Sequence, residues 1–64
     1  MMYRDAAEIY EKLDKIEDAA RCFFEAKIWD KAGEYYEKAK QYIEAADAYI
    51  KGGYYDEVVD LIQR

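Results

Sequence analysis

Catalysis at side chains needs a nucleophile, a base or a set of metal ligands, and this chain offers few of them. It contains no His, Ser or Thr. The nucleophiles and bases that remain are Cys22, the tyrosines, the lysines and the carboxylates. Cys22 stands beside Phe23 at the edge of an apolar stretch, where a thiol behaves as a small buried hydrophobe. Asp56, Glu57 and Asp60 are close enough in sequence to attract a hard cation. Acids at a helix start also complement its dipole, and that reading is preferred. No catalytic, cofactor-binding or metal-binding residue is therefore assigned. The residues with the greatest capacity for binding are aromatic: eight tyrosines and Trp29.

An aromatic side chain makes a contact only if some element presents it, and here the elements follow from a repeat. Small or β-branched pairs recur at every thirteenth position: Ala6-Ala7, Ala19-Ala20, Ala32-Gly33, Ala45-Ala46 and Val58-Val59. Three residues before each pair stands Tyr3, Ile16, Trp29, Tyr42 or Tyr55. Four after its first member stands Tyr10, Phe23, Tyr36, Tyr49 or Ile62, and seven after it Leu13, Ala26, Ala39 or Gly52. Offsets of i, i+3, i+4, i+7 and i+10 are one face of a helix, and nothing alternates with the period of a strand.

One continuous helix is excluded by phase. At ~100° per residue, one unit of the repeat advances the stripe by roughly 220°, so it would spiral around a straight helix and bury nothing. The chain must turn between units. The pattern predicts helices near 3–13, 16–26, 29–39, 42–51 and 55–63. Gly52-Gly53 is the one strong turn signal. The other turns, at Asp14-Lys15, Lys27-Ile28 and Lys40-Gln41, are polar or mixed and hold no Pro or Gly. Acids crowd the start of each unit and bases (Lys12, Lys27, Lys38, Lys40, Lys51, Arg64) its end, as helix dipoles require.

Odd and even units differ. Five residues past the first small residue, even units carry Phe24 and Ile50, while odd units carry Glu11, Glu37 and Gln63. Four residues before the pair the parity reverses, with Met2, Ile28 and Tyr54 against Lys15 and Gln41. Two alternating environments imply a stack of helical hairpins whose structural repeat is two units long. The expected fold is all-α, a single domain over 1–64 of five short antiparallel helices. Helices this short do not persist alone in water, so each depends on its neighbours.

The segments Ile28-Trp29-Asp30-Lys31-Ala32-Gly33-Glu34-Tyr35-Tyr36-Glu37-Lys38-Ala39-Lys40 and Tyr42-Ile43-Glu44-Ala45-Ala46-Asp47-Ala48-Tyr49-Ile50-Lys51-Gly52 resemble the unit of tetratricopeptide-like α-solenoids with short helices. Such units occur in soluble attachment proteins of membrane fusion, in coatomer and intraflagellar-transport subunits, and in helicase-like proteins with tetratricopeptide-type arrays. The likeness runs through the whole chain, although an ordinary tetratricopeptide unit, with about 34 residues, is longer than this hairpin. It implies an intracellular, cytoplasmic scaffold that binds proteins along a curved surface and has no catalytic residue. Because those arrays are much longer, the chain is expected to be a segment of a larger solenoid or a sequence engineered from one.

Composition agrees with a protein partner. The net charge of -5 argues against nucleic acid, whose phosphates need a basic surface. No apolar run approaches the ~20 residues that span a bilayer, and the N-terminus enters a charged amphipathic pattern without a signal peptide. One cysteine cannot form an internal disulfide and fits a reducing setting.

The stripe then sorts the aromatics. Tyr10, Tyr36, Tyr42, Tyr49 and Tyr55 are expected in the core. Tyr35 and Tyr54 lie off the stripe and, with Trp29, are the candidate protein contacts. Lys12, Lys38 and Lys51 share one offset and are expected to complement helix C-termini, with a groove for acidic tails as the alternative. The last unit carries Val58, Val59, Leu61 and Ile62 and is too apolar for a cap, while the first shows Met1, Met2 and Tyr3. Met2, Tyr3, Val59 and Ile62 are therefore candidate self-association residues. A closed two-fold homodimer is the expected form, head-to-tail contact the alternative.

Overall fold

The computed structural model describes residues 2–62. It contains five helices: α1 (Tyr3–Lys12), α2 (Ile16–Glu25), α3 (Trp29–Lys38), α4 (Tyr42–Gly52) and α5 (Tyr55–Ile62), with no strand among the described residues. The all-α expectation and its five spans hold to within a residue at almost every end. Met1, Gln63 and Arg64, which the sequence pattern assigns to the apolar N-terminal end, to a polar offset and to a helix C-terminus, lie outside the described residues.

The first four helices are stopped the same way. Asp14, Lys27, Lys40 and Gly53 have φ of 62°, 63°, 63° and 81°, one such residue at each of the four turns. Around each of them the backbone closes a Schellman motif. The Lys15 N–H donates to the Tyr10 carbonyl at 2.9 Å and the Asp14 N–H to that of Glu11 at 3.1 Å. Ile28, Gln41 and Tyr54 repeat the longer bond to Phe23, Tyr36 and Tyr49 at 2.9, 2.9 and 2.8 Å. The residue that closes one helix also opens the next. The carbonyls of Lys15, Ile28 and Gln41 accept the N–H groups of Ala19, Ala32 and Ala45 at 2.9, 2.9 and 3.0 Å. No side-chain cap assists at α1 to α4, in keeping with a chain that has no Ser, Thr or Asn.

The helices pack in chain order, α1 on α2, α2 on α3 and α3 on α4, with a thinner contact between α4 and α5. The small pairs lie at these contacts. Ala7, Ala19, Ala20, Ala32, Gly33 and Ala45 are buried. The remaining pair members are less covered: Ala6, Ala46 and Val58 are half-buried and Val59 is exposed. Gly33 marks a close approach, because a Cβ there would meet the Tyr49 ring at 2.5 Å. Aromatics fill the gaps. Phe23 meets Tyr35 edge-on with centroids 5.2 Å apart, and Phe24 meets Trp29 at 4.9 Å and Tyr36 at 6.2 Å.

Three aromatic or aliphatic positions depart from expectation. Tyr42 and Tyr55, expected in the core, are 47% and 64% exposed, and Leu13 is exposed as well. Tyr42 opens α4, and Tyr55 lies on a face of α5 that no helix among the described residues covers. Leu13 is the C-cap of α1, on the open side of the first helix.

Two outcomes follow from this packing. Lys27→Gly and Lys40→Gly should each stabilise by about 0.5–1 kcal/mol, since glycine relieves the left-handed strain and loses only part of that gain to chain entropy. Gly53→Lys should cost a similar amount, and thermal melts of the three variants check the sign. Ala20→Leu should destabilise by about 1–3 kcal/mol through overpacking. Gly33→Ala should destabilise too, despite the roughly 1 kcal/mol that alanine gains in helix propensity. Half-buried Ala46→Leu should be the mildest of the three, and a different rank order in urea melts would contradict the packing described.

Candidate functional site

The hairpin stack leaves a groove between successive odd-numbered helices. The first lies between α1 and α3 and has a volume of about 670 Å³. Arg4, Glu8, Glu11 and Lys12 line it from α1 and Lys31 from α3, with Phe23 and Ile28 as its apolar surface. The second lies between α3 and α5, with a volume of about 370 Å³. Its lining is Asp30, Glu34, Glu37, Tyr49, Tyr54 and Glu57. Every one of these residues stands exactly one hairpin after a lining residue of the first groove: Arg4 becomes Asp30, Glu8 Glu34, Glu11 Glu37, Phe23 Tyr49, Ile28 Tyr54 and Lys31 Glu57. The hairpin repeat thus places a groove at the same lining positions twice, the second smaller than the first.

The lining positions carry over from one groove to the next, while the volume and the charge do not. The first mixes three bases with two acids, and the Lys31 ammonium sits 5.9 Å from the Phe23 ring centre. The second is lined by four acids and no base. Glu34 is partly offset by Lys38, 4.0 Å away on the solvent side. A carboxylate, Glu57, stands at the repeat position that Lys31 occupies in the first groove.

Tyrosine hydroxyls tie these linings to the core. The Tyr35 hydroxyl donates to a Glu11 carboxylate oxygen, joining α3 to α1. The Tyr49 hydroxyl donates to Glu37 at 3.2 Å. Glu11 and Glu37 are the acids of the odd-unit offset, so the parity visible in the sequence has a structural partner: each receives a buried phenol. Hydrogen bonding to Glu11, then burial, pushes the Tyr35 phenol up to about 12. Burial, then the Glu37 charge, raises that of Tyr49 further. The Lys38 ammonium lies over the Tyr35 ring at 4.8 Å from its centre.

The candidate residues separate accordingly. Tyr35 is only 6% exposed and belongs to the core, so it has little surface for a partner. Its position off the main stripe is what suggests a contact role. The offset it occupies, three past the first small residue, faces the preceding helix and is buried by Phe23. Tyr54 lines the second groove and packs on Tyr49 at 6.4 Å between centroids. Trp29 is half-buried between Phe24 and Gly52. Lys12 lines the first groove, Lys38 stacks on Tyr35, and Lys51 stays exposed in the last turn of α4. Cys22 is half-buried, and burial followed by the Asp18 charge raises its pKa, which keeps it a thiol. No group of three or more His, Cys, Asp or Glu positioned for a metal occurs among the described residues. Val59, Ile62 and Met2 are exposed, and Tyr3 is half-buried.

The raised Tyr35 pKa fixes a pH dependence. A phenol that titrates near 12 when folded and near 10 when unfolded stabilises the fold below pH 10 and loses that contribution as pH rises towards 12. Alkaline titration followed by phenolate absorbance should show late-ionising phenols, of which Tyr35→Phe removes one while the Tyr49 step remains. Ionisation of every tyrosine in one step near pH 10 would exclude the Glu11 bond.

Comparison of the chain with protein-family models, with curated proteins and with solved structures finds no match.

Proposed function

We propose that the chain is a non-enzymatic protein-binding module of the tetratricopeptide-like kind, a scaffold whose odd-numbered helices present grooves to extended segments of a partner polypeptide. The observation that carries this reading is the residue-by-residue recurrence of one groove lining a full hairpin later. A concavity built by the repeat itself can engage successive parts of one ligand. Its aromatic floor supplies apolar area and its rim supplies charge, the composition expected of a recognition surface. The second groove favours a cationic stretch, because its lining is acidic. Tyr54, which lines the second groove, is the aromatic contact this reading retains, while Trp29 lines neither groove.

Other features are compatible with it. No helix among the described residues is long and apolar enough to cross a membrane. The net charge of -5 disfavours nucleic acid, and the free thiol suits the cytoplasm. A second reading, a self-assembling repeat, is favoured by a separate observation: both end helices expose apolar stripes, with Met2 73% and Ile62 78% accessible.

The groove reading is tested with two short labelled peptides, one alternating Arg with Leu and the other Glu with Leu. The Arg peptide should bind at least about tenfold more tightly at low salt, a preference of about 1.4 kcal/mol. Added salt should reduce that preference. Glu34→Lys combined with Glu57→Lys should abolish it without loss of helix. Failure to bind either peptide, or equal affinity for both, overturns the groove assignment.

A further inference from the structure

Two pairs of equivalent side chains make the difference in charge between the grooves. Arg4 in the first groove is replaced by Asp30 in the second, and Lys31 by Glu57. All four are exposed. Glu8 and Glu11 keep their sign as Glu34 and Glu37. The remaining base of the first groove, Lys12, has its equivalent in Lys38, which lies over the Tyr35 ring and outside the lining of the second groove. The acids of the second groove act on its floor: burial first, then the charges of Glu37, Glu57 and Glu34, raise the pKa of the Tyr49 phenol. Over the first floor lies an ammonium instead, that of Lys31. Each groove is walled on both sides by helices of this chain, and the two share α3. Among the described residues, the odd-helix face thus has more bases than acids lining it towards α1 and only acids towards α5.

We propose, resting on the groove reading above, that both grooves hold one extended segment of a partner protein, its acidic half between α1 and α3 and its basic half between α3 and α5. Complementarity sets this order through the difference between the grooves. The acids of the second groove attract the basic half and repel the acidic one, so the reversed placement loses at both grooves. A uniformly basic segment gains in the second groove but meets Arg4, Lys12 and Lys31 in the first. Each exposed charge contributes little alone and is screened by salt, so the order depends on several acting together. Spacing limits the ligand as well. Helices in contact lie about 8–10 Å apart, and two that leave a groove between them stand further apart. At ~3.3 Å per residue, the centres of the two charged blocks are therefore at least about three residues from each other.

The test uses the full chain and a peptide in which a Glu-Leu-Glu block and an Arg-Leu-Arg block are joined by one glycine. An isomer of the same composition with the charges interleaved serves as control. At low salt the block peptide should bind at least about fivefold more tightly than the isomer by fluorescence anisotropy, and added salt should remove the difference. A nitroxide on its basic end should broaden amide signals of α5 more than those of α1, and one on its acidic end should do the reverse. Arg4→Asp and Lys31→Glu combined with Asp30→Arg and Glu57→Lys exchange the charges of the two pairs without changing the net charge. On that variant the two labels should exchange places. If it loses helix by circular dichroism, the labels on the parent chain still decide the order. Equal broadening of α1 and α5 from either end, or labels that keep their places on the folded variant, would overturn the charge order and leave the groove reading intact. So would a uniform Arg-Leu peptide that binds where the block peptide does not. Failure of both peptides to bind would overturn the charge order and the groove reading together.

Discussion

The left-handed turn that recurs at Asp14, Lys27, Lys40 and Gly53 governs the rest of this molecule. A stripe repeated with this period drifts by roughly 220° per unit around a continuous helix and cannot form one core. Stopping each helix after about three turns and reversing at once brings the stripe back to the same side. The turn is closed by backbone bonds alone, with the Lys15 N–H reaching Tyr10 and its equivalents repeating the bond. Because one residue ends a helix and begins the next, every unit is held at the same length. That constancy is why the groove linings recur in register from one hairpin to the next.

The helices and their pairing are legible in the sequence because they depend on spacing, and no insertion disturbs the spacing. The turns are less so. Only Gly53 signals a left-handed residue by its type, whereas Lys27 and Lys40 occupy that conformation against their own preference. They are tolerated because the Schellman bonds and the packing of both flanking helices over-determine the turn. Residues at one offset also meet different fates. Tyr36 and Tyr49 are buried while Ile62 is exposed, and Trp29 is half-buried while Tyr55 is exposed, since burial depends on which helix packs against each offset. Periodicity specifies which side of a helix a residue occupies and is silent on what lies opposite.

The candidate site is legible only in part for a related reason. The odd-unit acids Glu11 and Glu37 are visible as a parity, but their partners come from two different offsets, Tyr35 and Tyr49. No single-unit comparison pairs them. Tyr35 reads as a contact residue because a large amphipathic side chain off the main stripe usually reaches solvent. Here its ring is enclosed by Phe23 and its hydroxyl ends on a carboxylate at the groove rim, so one residue serves the core and positions Glu11 for the surface.

The hairpin repeat and the charges it carries respond to different pressures. Phe23 and Tyr49 are both large and flat because a groove floor must fill the space between two odd helices. Lys31 stands over the Phe23 ring and Glu57 lines the second groove at the equivalent position with opposite charge, and nothing in the packing requires either sign. Helix dipoles do not explain the difference, since both residues lie in the first turn, where an anion is favoured. Lys31 is thus placed against its local electrostatic preference, offset in part by its contact with the Phe23 ring. Packing determines that there are two grooves, and the residues free of packing determine what each attracts. The gradient from a mixed groove to an acidic one gives the odd-helix face a direction, and an extended ligand lying along it would be read in one orientation.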